Sequence, residues 1–354
     1  MKKMCKKVNG KKNNVDVKEK IEMRKITVAQ IGTNYYSPGP FAWESIVKQS
    51  DIFDVKGYAL PENERERLPE QVKRFEGHRE MTVKEILEDP EIEAVVIETD
   101  EIYLTKYALM VAQAGKHIHM EKPGGIELAN FEKLIETVKK SGKVFHTGYL
   151  YRYNPCMIEL MEQIKRGELG EIISVEAQMN CLHSKEVREW LKNFPSGMLF
   201  FLGCHMIDMI FRIQGPPEEI IPLSCSTGAD GVKTDDFGMA VMRYKNGVSI
   251  AKAHDSQFGG FVKRSLVVTG TKATVELSPL EMYADNDMLF TEKTDFTNPN
   301  WGDTGTKSKS QPFVRMDGML SAFASYVRGE KENPYTPDYE LELYKTILKC
   351  CGVD

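Results

Sequence analysis

Long hydrophobic runs are missing from this chain. No stretch nears the roughly 20 consecutive apolar residues that a membrane span requires, and the lysine-rich first residues carry no apolar segment of the signal-peptide kind. Charge of one sign is equally lacking. Lysine and arginine number 47 against 52 aspartates and glutamates, a formal net charge of -5 over 354 residues. The concentrated cationic surface needed to hold a phosphate backbone is therefore absent, which argues against a nucleic-acid partner. Cysteine appears seven times, an odd number with no CxxC pair, as fits a reducing compartment. These absences predict a cytoplasmic protein without a membrane partner. The one basic run, from Lys2 to Lys20, predicts a disordered leader over residues 1–24.

What is present is a change of texture near the middle. Up to residue 150, short apolar runs at 26–31, 55–60, 94–98, 117–120 and 144–147 alternate with helical patterns at 41–49, 82–88, 102–114 and 128–140. Alternation of this length implies parallel βαβ units with right-handed crossovers. Such sheets bind ligands beyond the carboxyl ends of their strands. From about residue 170, β-rich runs follow one another at 172–179, 236–244, 248–254, 264–269 and 273–277, with an Asn246-Gly247 hairpin signal between the second and third. One helix, 204–214, interrupts them, residues 285–312 read as loop, and helical patterns at 316–328 and 339–349 close the chain. The expectation is a two-domain fold: an α/β dinucleotide-binding domain of Rossmann type at 25–150, then an α+β domain at 151–354 with a large, mostly antiparallel open sheet.

Glycine is sparse where a dinucleotide turn would want it. Behind the first strand only Gly32 falls in register, with Asn34 and Ser37 in the other two glycine positions. Asparagine tolerates left-handed backbone angles, so this segment fits either a phosphate turn with Gly32, Asn34 and Tyr36 at the cofactor or an ordinary βα turn. After the second strand Leu60 stands where a ribose-binding acid would be. Glu62, two residues on, either reaches an adenosine ribose or begins a surface-charged run. The absence of a basic residue directly after that strand leans toward NAD over NADP. Far more informative is residues 115–123, GKHIHMEKP, a strand that runs into the charged pair Glu121-Lys122 beside Pro123. His117 and His119 share a face of that strand, but no acid or cysteine at a ligand spacing completes a metal set.

With Glu121-Lys122-Pro123, three further segments fall in an order and spacing that resembles the Gfo/Idh/MocA oxidoreductases: GYLYRYNP at 148–155, GELGEI at 167–172 and GCHMID at 203–208. GTKAT at 270–274 resembles a late sheet turn of the family, which often has a glycine where Ala273 stands. The resemblance spans about residues 25–350. It implies a nicotinamide cofactor, NAD with NADP not excluded, and oxidation or reduction of a hydroxyl-bearing carbon of a sugar, glycoside or cyclitol. It also implies that Thr99, Asp100, Glu121, Lys122 and Pro123 face the cofactor and that a homodimer or homotetramer forms. Lys122 and His205 become the catalytic candidates. Lysine stabilises developing alkoxide charge, and an imidazole with an ordinary titration point exchanges protons near neutrality. Asp208 lies on the same helical face as His205 and, with Tyr151, Arg152 and Phe201, is placed near substrate.

The departure from the family pattern is Phe201. Most members have an aspartate four residues before the histidine, and a phenylalanine can neither accept a hydroxyl proton nor orient an imidazole. Asp100 and Leu104 likewise stand where proline and histidine are usual. Polar groups that could compensate are His183, Lys185, Arg188, Lys233, Asp235 and Asp236, with Trp190 beside them. The altered helix keeps open a redox-neutral alternative, in which a tightly held NAD serves a glycoside-modifying or glycoside-cleaving reaction, and a non-enzymatic sensor.

Overall fold

The computed structural model describes residues 24–36 and 39–353; the expected leader, up to residue 23, and Ser37 lie outside them. The first domain is built from β1 (Ile26–Ile31), α1 (Gly39–Lys48), β2 (Phe53–Ala59), the short helices α2 (Glu64–Arg67), α3 (Pro69–Val72) and α4 (Val83–Glu88), then β3 (Ala94–Ile97), α5 (Leu104–Gln113), β4 (His117–Met120), α6 (Leu128–Ser141) and β5 (Phe145–Thr147). Its five strands are all parallel, in the order β2-β1-β3-β4-β5. β3 is buried at every residue because helices cover both faces of the sheet. The chain leaves β1 toward β2 and returns to β3 on the other side, so a crevice opens beyond the carboxyl ends of β1 and β3. Local signals hold where they were strongest. Thr82 and Glu85 form a reciprocal capping box on α4, and Gly142, at φ 64°, ends α6 in the left-handed region.

A turn at Leu150–Tyr153 leads into α7 (Pro155–Lys165), whose entry is fixed by Asn154 Oδ1 accepting from the Cys156 and Met157 amides. The second domain then adds β6 (Ile172–Gln178), α8 (Lys185–Trp190), α9 (Cys204–Gln214), β7 (Glu219–Cys225), β8 (Phe237–Tyr244), β9 (Gly247–His254), β10 (Ser265–Gly270) and β11 (Thr274–Leu277). A small ladder, β12 (Met282–Tyr283) with β13 (Leu289–Phe290), precedes β14 (Glu292–Phe296) and β15 (Thr306–Lys309). Eight strands form one sheet in the order β15-β14-β11-β10-β6-β9-β8-β7, antiparallel except for the β6 and β9 pair. One face carries α9, and Gly203 and Gly238 both press against Leu199, where a Cβ on either would collide. The helices α10 (Arg315–Val327) and α11 (Pro337–Cys350) return to the first domain. Asp317 accepts from Ser45 of α1 at 2.7 Å, and the Tyr344 hydroxyl donates to the Gly125 carbonyl at 3.1 Å.

Three expectations are corrected. Residues 285–312 are not simply loop, since β13, β14 and β15 lie there. β14 and β15 read Glu-Lys-Thr-Asp-Phe and Thr-Lys-Ser-Lys, edge strands with too little apolar alternation to announce themselves. Helices α7 and α8 and strand β7 also went unread; β7 is mostly exposed and contains Pro222, both signs that ordinarily demote a strand. The hairpin exists, but Tyr244 pairs with Gly247, so Lys245 and Asn246 form the turn. Gly247 belongs to the strand, and a glycine is needed there because a Cβ would strike the Ile173 carbonyl.

Candidate functional site

The carboxyl ends of β1, β3 and β4 bring Gly32, Thr99, Asp100, Glu121 and Lys122 to one edge of the parallel sheet. Gly32 adopts φ 81°, and a Cβ would run into the Thr99 side chain, so this close crossing of β1 and β3 admits only glycine. Asn34 Nδ2 donates to the Glu98 carbonyl at 3.1 Å, which ties the turn to the same strand end. Lys122 is wholly buried, and its Nζ donates to the Phe201 carbonyl at 2.8 Å and lies 3.6 Å from Glu121 Oε1. Burial alone would discharge this ammonium. The nearby Cys204, Glu121 and Glu101 outweigh that effect and raise its proton affinity above that of an ordinary lysine. The counterpart is visible in the acids. Burial pushes Glu101 up to about 7 despite Lys122, and burial together with Glu121 and Glu101 holds Glu98 well above the carboxylate range.

From the other domain a π turn, Leu199–Gly203, opens into α9 and presents Phe201 and His205. The Phe201 ring lies against Lys122 Nζ, 4.7 Å from centroid to nitrogen, and meets Trp190 edge-on at 5.1 Å. Trp190 in turn packs at 4.7 Å on Tyr36 of the first domain. The phenylalanine is thus part of an aromatic cover that spans both domains above the lysine. His205 is buried, with the rings of Tyr149 and Tyr151 edge-on at 5.9 and 5.5 Å. Its Nδ1 has no hydrogen-bond partner among the described residues. Burial, then Lys122, Arg264, Arg315 and Arg152, drive its pKa well below the ordinary value. The expectation of an imidazole poised near neutrality is corrected on that ground: the ring is neutral because burial, and then four nearby cations, oppose a positive charge there.

Outside this cover lies a cleft of about 720 Å³ between the domains, with Tyr35, Tyr36, Arg67, Asp100, His183 and Trp190 among its walls. In its first-domain wall Arg67 Nη1 meets Asp100 Oδ2 at 2.8 Å.

Two family models match this chain. The "Oxidoreductase family, NAD-binding Rossmann fold" model covers residues 26–149, and the "GFO/IDH/MocA C-terminal domain" model covers residues 157–276. The chain belongs to the Gfo/Idh/MocA oxidoreductase family. Among its curated relatives are a 1,5-anhydro-D-fructose reductase of Ensifer adhaerens and a trans-1,2-dihydrobenzene-1,2-diol dehydrogenase of Bos taurus. The first is 24% identical over 203 residues, 56% of this chain and 61% of that protein. The second is 25% identical over 283 residues, 75% of this chain and 78% of that protein. The match thus spans about six tenths of the reductase. An aldose-aldose oxidoreductase from Caulobacter crescentus, solved with glycerol, shares the fold with a TM-score of 0.75 at 18% identity, over 93% of this chain and 98% of that one.

This family member has residues that fit a nicotinamide dinucleotide. The Gly32 crossing brings backbone close to the crevice, the buried Thr33 hydroxyl has no partner among the described residues, and the cleft volume lies within the range of cofactor pockets. Other expected positions have different neighbours. Glu62 Oε1 accepts from Lys106 Nζ at 2.7 Å and the Tyr107 hydroxyl at 2.5 Å. Arg152 and Asp208 meet each other, Nη2 to Oδ1 at 2.7 Å, and Arg152 Nη1 reaches Glu340 Oε1 at 2.6 Å, all three buried. Tyr151 donates to Glu281 Oε2 at 2.9 Å. Arg188 pairs with Asp230 and lies 3.8 Å from Asp236. Sequence reading missed Arg67, Glu98, Glu101, Arg264 and Glu281. Two of these carried a signal: Glu98 and Glu101 flank Thr99-Asp100, and buried acids directly after a buried strand are unusual. Among the described residues no three His, Cys, Asp or Glu side chains converge as metal ligands would, and no helix is long and apolar enough to cross a membrane.

Proposed function

We propose that this protein is an NAD-dependent oxidoreductase, with NADP as the alternative cofactor, that interconverts a hydroxyl and a carbonyl on a sugar, glycoside or cyclitol. The observation that carries the reading is Lys122, a fully buried ammonium kept charged at the crevice beyond β4 and opposite His205 of the second domain. A bound nicotinamide would supply the hydride acceptor or donor. Gly32, Asn34, Tyr36, Thr99, Asp100, Glu121 and Pro123 would line its site, joined by Arg67 from the cleft wall; Glu62 is left to its bonds with α5.

Lys122 holds the reacting oxygen and stabilises negative charge on it. His205, neutral and with an Nδ1 that has no partner among the described residues, takes the hydroxyl proton or returns it. Tyr151 and Phe201 flank the pair: Tyr151, edge-on to His205, is anchored by Glu281, and Phe201 offers Lys122 a flat apolar face and excludes water. Arg152 and Asp208 act through their mutual bond, which fixes α9 against the hinge. Turnover of a polyol and sugar panel with NAD and NADP, followed as reduced cofactor, tests the reading. Absence of binding of both at about millimolar concentration overturns it. Lys122→Ala and His205→Ala are each expected to remove most turnover, and an unchanged His205 variant overturns that assignment.

The Tyr36–Trp190–Phe201 cover favours a second mode, in which the cofactor stays bound and the reaction is redox-neutral. Mass analysis of the purified protein distinguishes them: retained dinucleotide with no net reduced cofactor supports the second mode, and dinucleotide-free protein that accumulates reduced cofactor supports the first.

A further inference from the structure

Behind the cleft wall lies a cluster that hydride transfer leaves unused. Past the end of β6 the chain stays extended, with the Cys181 amide donating to the His254 carbonyl at 2.9 Å and the His183 amide to the Asp255 carbonyl at 3.0 Å. Residues two apart on an extended segment share a face, which sets the Cys181 and His183 side chains on one side of this segment. His183 Nδ1 faces Asp255 Oδ2 at 3.7 Å, and Arg264 Nη2 donates to Cys181 Sγ at 2.9 Å. Asp255 is wholly buried, and neither of its carboxylate oxygens has a hydrogen-bond partner among the described residues. A buried carboxylate without such a bond is costly unless a cation answers it, and the imidazole nearest to it is that of His183, on the same face as the thiol. Cysteine, imidazole and carboxylate in this order form the activated-nucleophile arrangement, with a guanidinium on the sulfur in addition.

The cluster has an outlet. His183 lines the interdomain cleft with 27% of its side chain exposed, and Leu182, between the two, is exposed in the same wall. We propose that Cys181 is a thiolate nucleophile, paired with His183 and Asp255 and held by Arg264, that takes soft carbon electrophiles entering the cleft.

The charges around it come from every packed element. Asp236, just before β8, and Arg188, from α8, stand behind Asp255; Glu281, Tyr151 and Arg315 stand behind Arg264. Burial opposes charge at the sulfur, but His183 and the Arg264 guanidinium, which donates to it, exceed that effect and bring the Cys181 thiol below its usual pKa. Burial is likewise exceeded at His183, where Asp255 and Cys181 lift the imidazole to about 9. With iodoacetamide as probe, a sulfur lone pair forms the new carbon–sulfur bond, the carbon–iodine bond breaks, and iodide leaves with its electron pair. His183 keeps its proton.

The test uses the full chain without cofactor or substrate, so its outcome is independent of the oxidoreductase reading. Peptide mapping after brief exposure to iodoacetamide at about pH 6 is expected to show Cys181 labelled at least about tenfold faster than the exposed Cys225. His183→Gln, shown folded by near-ultraviolet circular dichroism, is expected to lose about tenfold of that rate and to recover it as pH rises. Thiolate absorbance at the same pH should fall in Cys181→Ser. Parity of Cys181 with Cys225, labelling of Cys181 only in urea, or an unaffected His183→Gln rate each overturn the proposal.

Discussion

Glu101 is a side chain whose chemistry comes from where it is rather than what it is. An exposed glutamate titrates near 4.5, whereas this one is held up to about 7, first by burial. Between those two values the folded state keeps a proton that the unfolded chain has released, so stability contributed by this group falls as pH rises and stays low above about 7. Glu101→Gln removes the penalty. Urea unfolding of both proteins should coincide at about pH 4.5 and differ by up to about 3 kcal/mol in favour of the variant at about pH 8. Lys122 is the opposite case. Lys122→Met leaves Glu121, Glu101 and Glu98 without their cation, and a loss of about 3 kcal/mol is expected at neutral pH, less in acid where the carboxyls are already protonated. Equal losses at both pH values would show that packing, not charge, is what the lysine supplies.

At the scale of elements, β4 and β5 are joined by more than their ladder. His119 pairs in register with His146, their Nδ1 atoms are 2.6 Å apart, and His146 Nε2 lies 2.6 Å from the Tyr153 hydroxyl. Burial pushes His119 down to about 3; burial, His119 and Arg152 push His146 well below its ordinary value. One ring must donate and the other accept, so the two cannot both be charged, and burial keeps each neutral. Because the unfolded chain binds protons at these sites near pH 6.5 and the folded one does not, stability is lost as pH falls from about 6.5 toward 3. His119→Gln should flatten that acid limb, as read by thermal melts across the range. Nitrogen chemical shifts that titrate near 6.5 in the folded protein would refute the neutral pair.

For the molecule as a whole, Arg152 joins the hinge to α9 through Asp208 and to α11 through Glu340, with Tyr335 3.8 Å from its guanidinium. Arg152→Ala strands two buried carboxylates and should cost about 3–5 kcal/mol; a change below about 1 kcal/mol would mean that water or the acids themselves relieve the loss. The free face of the large sheet carries a row formed by Ile221, Val241 and Ile250, adjacent in register and only partly covered. A second copy of the chain on this face is the expected cover. Sedimentation should find a dimer or tetramer, with Ile250→Asp dissociating it while leaving the fold intact; a stable monomer at micromolar concentration would refute this.

Much of this protein is fixed by local chemistry. The alternation of buried runs with helices, the stop at Gly142, the Glu121-Lys122-Pro123 segment and the exchange of an aspartate for Phe201 can all be read along the chain, because periodicity, capping and backbone restriction act within a few residues. Strands β14 and β15 could not be read so, since a charged edge strand exists only by virtue of the neighbour it pairs with. The same holds for chemistry. That Lys122 stays charged, that His205 does not, that Arg152 and Asp208 answer each other, that Arg264 reaches Cys181 and that His183 faces Asp255 are consequences of burial and of side chains brought together from distant segments. Sequence names such groups, but only tertiary structure sets the dielectric and the partners that determine their protonation.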